Sequence, residues 1–588
     1  MFCIIRKLNF DKAKGLLILS LMITQLLYSQ VTRIAFGSCA HQDHPQPILK
    51  VAAGYTPDLF IFLGDNIYGD TDNMDTLRAK YRRWGAKPEY KQLAATSKIL
   101  ATWDDHDFGR NDAGRHYPYK EASKEIFLDF FQEPQQSARR THSGIYHVEY
   151  LKAQDKVVQI ILLDNRSFRD NVLPYDSLAV LPRKKYFYPL DYKPHTTKDS
   201  TLLGEEQWKW LADQLRQPAD LRIICSGSQF GIEFNGYEAW ANFPHEQERL
   251  CRLIRDTRAE GVLFISGDVH YGEISRLRSA GMYPLYDITS SGITSTWDFA
   301  TPNDNRIEGP VMENNFGLLT IRWDNDPAIE MELIDATGNS RSSYSIKRSQ
   351  LTFMSNPVIA HRGAFKKNGF PENSIASLRE AIRLNCAGSE FDVRMTADSV
   401  LVVNHDPHYN NLEIETNTYA ALAAQRLSNG ELLPTLSSYL QAGQQEKPAT
   451  RLILEIKPSA IKTKDRLHYI ARSVLNAVRD AGVGVYTEFI SFDYQQLLVL
   501  KELDKGVLTH YLNGDLSPEQ VMRDGIDGID YNFSVFQKNP DWIGQAKRLK
   551  RVLNVWTVND LSQLDWCLQQ GFDLITTNEP ELLFERIK

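Results

Sequence analysis

Two stretches of the chain alternate short, mostly apolar runs with amphipathic ones. In the first stretch the apolar runs are residues 33–36, 59–63, 157–163, 222–225 and 262–265. Runs so nearly continuous in apolar residues suit strands covered on both faces, as in parallel sheets. Helical patterns lie between them. From Gly204 onward, Trp208, Leu211 and Leu215 fall at i, i+3 and i+7, which puts them on one helix face. Residues 317–323 and 328–334 then alternate in the manner of a hairpin. The polar stretch 335–343 follows, and a domain boundary is expected between Ser345 and Pro357.

The second stretch repeats strand and helix to the end. Strands are expected at 358–361, 390–394, 401–404, 452–456, 489–492, 506–509, 528–531, 552–557 and 574–577. Between them lie helical patterns such as Ile375, Leu378 and Ile382, with Gly388 as the expected stop. Such a repeat over roughly 230 residues has the size of a (β/α)8 barrel, whose active site lies at the carboxyl ends of its strands. The expected fold class is therefore α/β, an open-sheet unit followed by a barrel. No tandem repeat or low-complexity tract interrupts it.

The amino-terminal segment follows neither pattern. Arg6, Lys7, Lys12 and Lys14 precede the apolar run 15–27, which is short for a membrane span but suits the core of an export signal. Cleavage near Ser29-Gln30 would deliver the mature protein to the periplasm or beyond, the alternative being an uncleaved anchor. The expected organisation is thus a signal peptide over 1–29 and domains over 30–350 and 357–588. No later segment is expected to span a membrane.

Composition narrows the class. Of 588 residues, 42% are hydrophobic and 24% charged, which excludes wholesale disorder, a collagen-like fibre and a polytopic membrane protein. A formal net charge of −7 removes the global positive field that non-specific nucleic-acid binding needs, and no nucleic-acid partner is expected. Six scattered cysteines include no CxxC pair, so zinc-ribbon and thioredoxin-like readings fail.

Candidate chemistry in the second stretch collects at strand ends: His361-Arg362-Gly363, Pro371-Glu-Asn-Ser374, Glu390-Phe-Asp392, His405-Asp406 and Leu454-Glu-Ile-Lys457. Glu390 and Asp392, two apart on a strand, share a face. Glu455 would complete a cage of oxygen ligands suited to Ca²⁺ or Mg²⁺. Two histidines beside a cation supply a base and an acid for phosphodiester cleavage, and Arg362 and Lys457 would stabilise the phosphoryl oxygens. The stretch from His361 to about Pro580 resembles the glycerophosphodiester phosphodiesterase family in its HRG, PEN, ExD, HD and LEIKP segments. The late segments 555–559 and 575–580 match as well. The resemblance implies a TIM barrel, His361 and His405 as the acid/base pair, and Glu390, Asp392 and Glu455 as metal ligands. It also implies Arg362 and Lys457 at the phosphate, and attack by the substrate's own glycerol hydroxyl to give a cyclic phosphate. Ser374 stands where the family often has Thr, and the short segment 406–451 leaves no room for a large cap domain.

Four clusters stand out in the first stretch: Phe36-Gly-Ser-Cys39, Leu63-Gly-Asp-Asn-Ile-Tyr68, Thr102-Trp-Asp-Asp-His-Asp107 and Ser266-Gly-Asp-Val-His270. Two of them follow apolar runs through a glycine turn, which sets carboxylates at a sheet's carboxyl edge. Asp65 is the expected bridge between two metals clamping an in-line displacement. Tyr68 as a ligand requires a strongly polarising cation, and Cys39 favours a transition metal. Taken alone, each has a bland alternative: a buried thiol, a core tyrosine, or a solvated acidic loop at 104–107. Together, over roughly 31–345 and supported by 163–169 and 225–229, they resemble the alkaline phosphatase D (PhoD-like) branch of the metallophosphoesterases.

That resemblance implies a four-layer αββα sandwich, with Cys39, Asp65, Tyr68 and His270 holding Fe³⁺. Asp65, Asp105 and Asp268 would hold a second cation such as Ca²⁺, and His106 would be the general acid. Asp105 stands where the superfamily has Asn, and Asn111 is a weaker ligand candidate. Arg166 either binds phosphate or forms a structural ion pair. The combined expectation is a secreted bifunctional phosphoesterase whose barrel cuts glycerophosphodiesters and whose first domain releases phosphate from monoesters. Its partners would be small molecules, with no obligate protein partner. The alternatives are a first domain that is itself a diesterase, or one domain serving as an inactive binding module.

Overall fold

The computed structural model describes residues 31–587 except 154, 176–189, 235, 278–281, 446–449, 485 and 550. The expected signal segment 1–29 lies outside the described residues. The chain divides into two compact units. One runs to Ser275 and resumes over Tyr286–Ser349; the other comprises Arg276–Leu285 and Gln350–Lys588. Among the described residues no helix is long and apolar enough to cross a membrane.

The first unit is built on two mixed sheets. One orders its strands Ser340–Lys347, Ala328–Asp335, Asn315–Arg322, Val31–Gly37, Leu59–Leu63 and Lys98–Thr102. The other orders Arg306–Val311, Gly272–Leu277, Leu285–Ser290, Val262–Ser266, Leu221–Ser226, Lys156–Leu162 and His147–Ala153. Helices Pro47–Gly54, Met74–Gly85 and Lys120–Phe130 share a core with the first sheet, in which Phe60, Phe62, Trp84 and Phe127 are fully buried. Helix Gly204–Leu215 lies on the second sheet. It buries Trp208, Leu211 and Leu215 as its pattern predicts, and the Gln159 amide donates to its Gln214 carbonyl at 3.0 Å. The result is the four-layer αββα arrangement. Its catalytic consequence is that strand carboxyl ends from both sheets meet: Ser38, just past Val31–Gly37, donates its N–H to Ser290 O at the end of Leu285–Ser290 at 3.1 Å.

One expectation for this unit is corrected. Residues 340–347, read as part of a polar tail, form a strand paired antiparallel to Ala328–Asp335. It is an edge strand, so only alternate positions such as Ser342 and Ile346 are buried, and its composition stays polar.

In the second unit eight parallel strands close a barrel: Val358–Ala360, Gly388–Met395, Arg451–Ile456, Thr487–Ser491, Leu508–Tyr511, Gly528–Asn532, Val552–Trp556 and Leu574–Thr577. Closure comes from Val358–Ala360, which pairs with both Gly388–Met395 and Leu574–Thr577. Three details depart from the sequence reading. Leu401–Val403 is not a barrel stave but an antiparallel appendage to Gly388–Met395. The strand expected at 506–509 begins at Leu508, because Asp504 ties Gly506 into the preceding turn (Gly506 N to Oδ1, 2.8 Å), and His510 therefore belongs to the strand. Helix Ile375–Arg383 stops five residues before Gly388, with Asn385 taking the left-handed turn at φ 59°.

Gly528 shows how tightly the barrel interior is filled. A Cβ there would lie 2.2 Å from His510 Nδ1 and 2.8 Å from the Val552 carbonyl oxygen. Gly528→Ala is expected to destabilise the barrel by about 1–3 kcal/mol, since neither neighbour can yield without disturbing a buried strand. A lower thermal midpoint with unchanged first-unit unfolding would check this.

Candidate active sites

The barrel site begins at the end of its first strand. His361 and Arg362 follow Ala360 through a turn in which Arg362 (φ 53°) and Gly363 (φ 79°) are left-handed. A side chain at Gly363 would strike Ser377 Oγ at 2.3 Å, so only glycine fits there. Ser374 caps the next helix by accepting from Ser377 N at 3.0 Å. Its neighbour Asn373 grips Asp392 from both sides. Asn373 Oδ1 accepts from the Asp392 amide at 3.1 Å, and Asn373 Nδ2 donates to Asp392 Oδ2 at 2.8 Å.

Glu390, Asp392 and Glu455 are buried, with one oxygen of each within 4.8 Å of the others. Lys457 Nζ lies 3.3 Å from Asp392 Oδ1 and 2.8 Å from Glu455 Oε1, and Arg362 Nε lies 3.5 Å from Asp392 Oδ2. Burial and the two neighbouring carboxylates drive the Glu390 pKa far above the carboxylate range. Burial and Asp392 push Glu455 up to about 8, against the pull of Lys457. Lys457, together with His405 and Arg362, outweighs burial at Asp392, which stays below its ordinary value. Glu390 Oε1 is buried without a hydrogen-bond donor. Three crowded acids with an unsatisfied oxygen fit a hard cation.

Both histidines line one cavity of about 120 Å³ with Arg362, Glu390, Glu455 and Lys457. His361 Nδ1 donates to Asn578 Oδ1 at 2.6 Å, leaving Nε2 toward Glu390 Oε2 at 3.8 Å. Burial and the Arg362 charge pull its pKa down to about 4, so the ring is neutral at pH 7. His405 Nδ1 lies 2.7 Å from Asp406 Oδ1. The sequence reading assigned no role to Asn373 or Asn578. Both sit inside segments it quoted, but their job is to hold other side chains, which spacing does not reveal.

In the first unit the four clusters converge. Cys39 Sγ donates to Asp65 Oδ2 at 3.3 Å, and Cys39, Asp65 and His270 form one group of ligand atoms within 4.8 Å. Asp65, Asp105 and His106 form another, and Asp104, Asp105 and Asp268 a third. Cys39, Asp65, Asp268 and His270 all take left-handed backbone, with φ of 64°, 49°, 79° and 59°. That conformation costs a non-glycine residue roughly 1–3 kcal/mol and gathers at functional sites. Gly64, at φ 104°, lets the Asp65 turn pass Asp104, whose Cβ a side chain there would meet at 2.5 Å.

The Tyr68 ring packs against His106, with centroids 4.2 Å apart and planes tilted by 33°, and its hydroxyl is buried without a hydrogen-bond partner. Asp65 Oδ1 and Asp104 Oδ2 are likewise unpartnered. Burial drives Cys39, Asp65 and Asp268 far above their ordinary pKa values, with neighbouring acids adding at each. Such a set of orphaned acids beside a thiol and a phenol fits multivalent cations. Burial disfavours a charge on His106, but Asp65, Asp70 and Asp105 outweigh it and carry the ring up to about 10. His106 is therefore an imidazolium at neutral pH, with Nδ1 donating to Asp70 Oδ1 at 2.8 Å.

Residues 104–107 are no solvated loop, since Asp104, Asp105 and Asp107 are buried. Asp107 is occupied structurally, accepting from Asp104 N at 2.7 Å and from the Tyr81 hydroxyl at 3.2 Å. Asn111 is exposed and turns its amide onto Asp112 at 2.7 Å. Asp112 and Glu238 form a further acidic group with Asp105. The sequence reading missed both, because Glu238 follows no strand and Asp112 lies beyond the motif. Arg166 is fully buried, bonded through Nε to Asp104 and reaching Glu238 Oε2 at 2.6 Å and Asp105 Oδ1 at 3.7 Å. Arg166→Ala would strand these acids, and a loss of about 3–5 kcal/mol in denaturant unfolding is expected. A pure phosphate-binding role would raise KM and leave stability intact.

A model of the PhoD-like phosphatase family matches residues 34–305, and one of the glycerophosphoryl diester phosphodiesterase family matches residues 361–582. Alkaline phosphatase D of Bacillus subtilis is 23% identical over 282 residues, 41% of this chain and 46% of its own length, so the chain spans about half of that relative. Glycerophosphodiester phosphodiesterase of Caldanaerobacter subterraneus is 26% identical over 249 residues, 39% of this chain and 97% of the relative. Among solved structures, a glycerophosphodiester phosphodiesterase from Parabacteroides distasonis is 39% identical over 40% of this chain and 98% of its own, with a TM-score of 0.38. A PhoD structure is 17% identical over 55% of this chain and 71% of its own, with a TM-score of 0.43. The chain thus carries a PhoD-like phosphatase region over residues 34–305 followed by a glycerophosphoryl diester phosphodiesterase region over residues 361–582.

Proposed function

We propose that the chain is an exported two-site phosphoesterase. Its barrel hydrolyses glycerophosphodiesters to glycerol phosphate and an alcohol, and its PhoD-like domain releases inorganic phosphate from monoesters. The observation that carries the barrel reading is the buried Glu390–Asp392–Glu455 cage opening onto the cavity that both histidines line. Ca²⁺ or Mg²⁺ on those three acids would supply positive charge to the phosphoryl oxygens. His361, neutral and with Nδ1 held by Asn578, takes the proton of the substrate's attacking glycerol hydroxyl at Nε2. The bond from phosphorus to the departing alcohol oxygen breaks, and that oxygen takes a proton from His405. Arg362 and Lys457 hold the phosphoryl oxygens through the step. Water then opens the cyclic phosphate with the two histidines exchanging roles.

In the PhoD-like domain Cys39, Asp65, Tyr68 and His270 would hold Fe³⁺, and Asp65, Asp105 and Asp268 a second cation such as Ca²⁺. Together these would ionise water and polarise the phosphoryl group. His106, protonated at neutral pH, gives its proton to the leaving alkoxide. Covalent linkage keeps the barrel's product near a site that consumes it. The leader over residues 1–29 is the basis for export.

The test is a paired assay on the full chain with added cations, following choline and phosphate release from glycerophosphocholine and phosphate release from glycerol phosphate. His405→Ala is expected to lose about 10²–10⁴-fold on the diester and nothing on the monoester. Equal losses on both substrates, or none on the diester, would overturn the division of labour.

A further inference from the structure

A metal-bound imidazole is usually fixed by a hydrogen bond from the ring nitrogen that faces away from the metal. His270 is held otherwise: among the described residues no hydrogen bond reaches either of its ring nitrogens. What holds it comes from one segment, residues 291–299, which leaves the end of strand Leu285–Ser290. The His270 peptide N–H donates to Ser291 Oγ at 2.9 Å, and its carbonyl accepts from Trp297 N at 3.1 Å. The imidazole itself lies parallel to the Trp297 ring, with centroids 5.3 Å apart and planes 8° apart. The same segment is tied to the opposite side of the centre. Ile293 N donates to Ser38 O at 3.1 Å, Thr294 N to Cys39 O at 3.0 Å, and Ser291 Oγ lies 3.1 Å from Cys39 Sγ. Trp297 is half-buried and braced in turn. Phe299 stacks on it at 5.2 Å with planes 15° apart, and Tyr237 meets it at 4.9 Å and 51°.

An imidazole without a hydrogen bond turns about its χ2 torsion, whose preferences are broad, unless something flat lies against it. A parallel indole removes that rotation, and neither ring gives up a polar partner to make the contact. Coordination to a cation also draws electron density out of the imidazole, and indole offers the best aromatic face to a ring that carries positive charge. We propose that Trp297 is the positioning residue of this centre, fixing the plane of the His270 ring within the group it forms with Cys39 and Asp65. This rests on the reading of Cys39, Asp65, Tyr68 and His270 as iron ligands. Trp297 touches the ligand and not the reacting phosphoryl group, so its effect passes through how tightly the metal is held. None of the four motif clusters of the first unit contains it.

The experiment loads the full chain with Fe³⁺ alone and measures, by competition with citrate, how tightly iron is held above the background set by Cys39→Ala. Trp297→Ala and Trp297→Leu should each hold iron about 10- to 100-fold more weakly than wild type. Trp297→Phe, which restores a flat face, should stay within about threefold. Leucine fills much of the space that alanine leaves, so the difference between Phe and Leu is the decisive reading, and it survives a Trp297→Ala that fails to fold. Thermal midpoints of the metal-free chain should be the same for Phe and Leu, which separates positioning from a merely structural role. Equal iron affinity in the Phe and Leu variants overturns the proposal, whether both match wild type or both fall. A difference in iron affinity matched by a difference in metal-free stability overturns it too. A wild type that holds no more iron than Cys39→Ala shows that the ferric reading itself has failed, and this inference falls with it. Iron held by wild type with no difference between Phe and Leu sinks the Trp297 role alone.

Discussion

Asp65→Asn is expected to cut phosphate release from glycerol phosphate by about 10³-fold while choline release from glycerophosphocholine continues, so that glycerol phosphate accumulates. The effect is large because Asp65 belongs to two ligand groups at once, one with Cys39 and His270 and one with Asp105 and His106. The substitution also reaches the proton donor. The Asp65 carboxylate heads the influences that hold His106 protonated against its burial. An amide at position 65 removes that support, and the His106 pKa falls. Titration of the His106 ring by NMR in the cation-free chain should therefore give a lower pKa in the variant than in wild type. A monoester rate within tenfold of wild type would remove Asp65 from the centre of the site.

Glu390→Gln is expected to act in opposite directions on activity and stability. Diester cleavage should fall by about 10³-fold, because the cation loses one of three carboxylates. Without added cations the barrel should become more stable by about 1–3 kcal/mol at pH 7. The sign follows from the direction of the shift. Burial and the neighbouring carboxylates raise the Glu390 pKa in the folded chain above its unfolded value. Folding then takes up a proton, so this residue costs stability above the ordinary carboxylate range near 4.3, and increasingly so as pH rises. The gain from Gln should vanish below that range. Saturating Ca²⁺ or Mg²⁺ should reverse the order, since only the wild type holds a full cage. Thermal melts with chelator and with cation, across pH, read all three outcomes. A variant that melts lower than wild type in chelator would show that the three acids are not in conflict.

Much of this was legible in the sequence because the legible parts are buried on two sides. Strands such as Leu59–Leu63 and Val262–Ser266 are wholly buried and therefore apolar, with Ser266 as the one polar residue between them. The motifs that follow them sit where chain turns force residues such as Gly64 and Gly267 into place. Edge strands were harder, since Lys98–Thr102 and Ser340–Lys347 satisfy one face only and read as polar or short. Residues that serve other side chains were harder still. Asn578 follows an expected strand but serves only to orient His361, and Glu238, which answers Arg166 and Arg169, follows no apolar run that would mark it.

The outermost strand of the six-stranded sheet, Ser340–Lys347, carries hydroxyls and two basic side chains along the sheet's edge. Such an edge discourages a second molecule from zipping alongside, because annealing would strip water from Arg341 and Lys347 for little apolar return. The feature that hid this strand from sequence reading is thus a guard on colloidal behaviour. Replacing its outward serines with valine would be an invitation to fibrils, with neither active site touched.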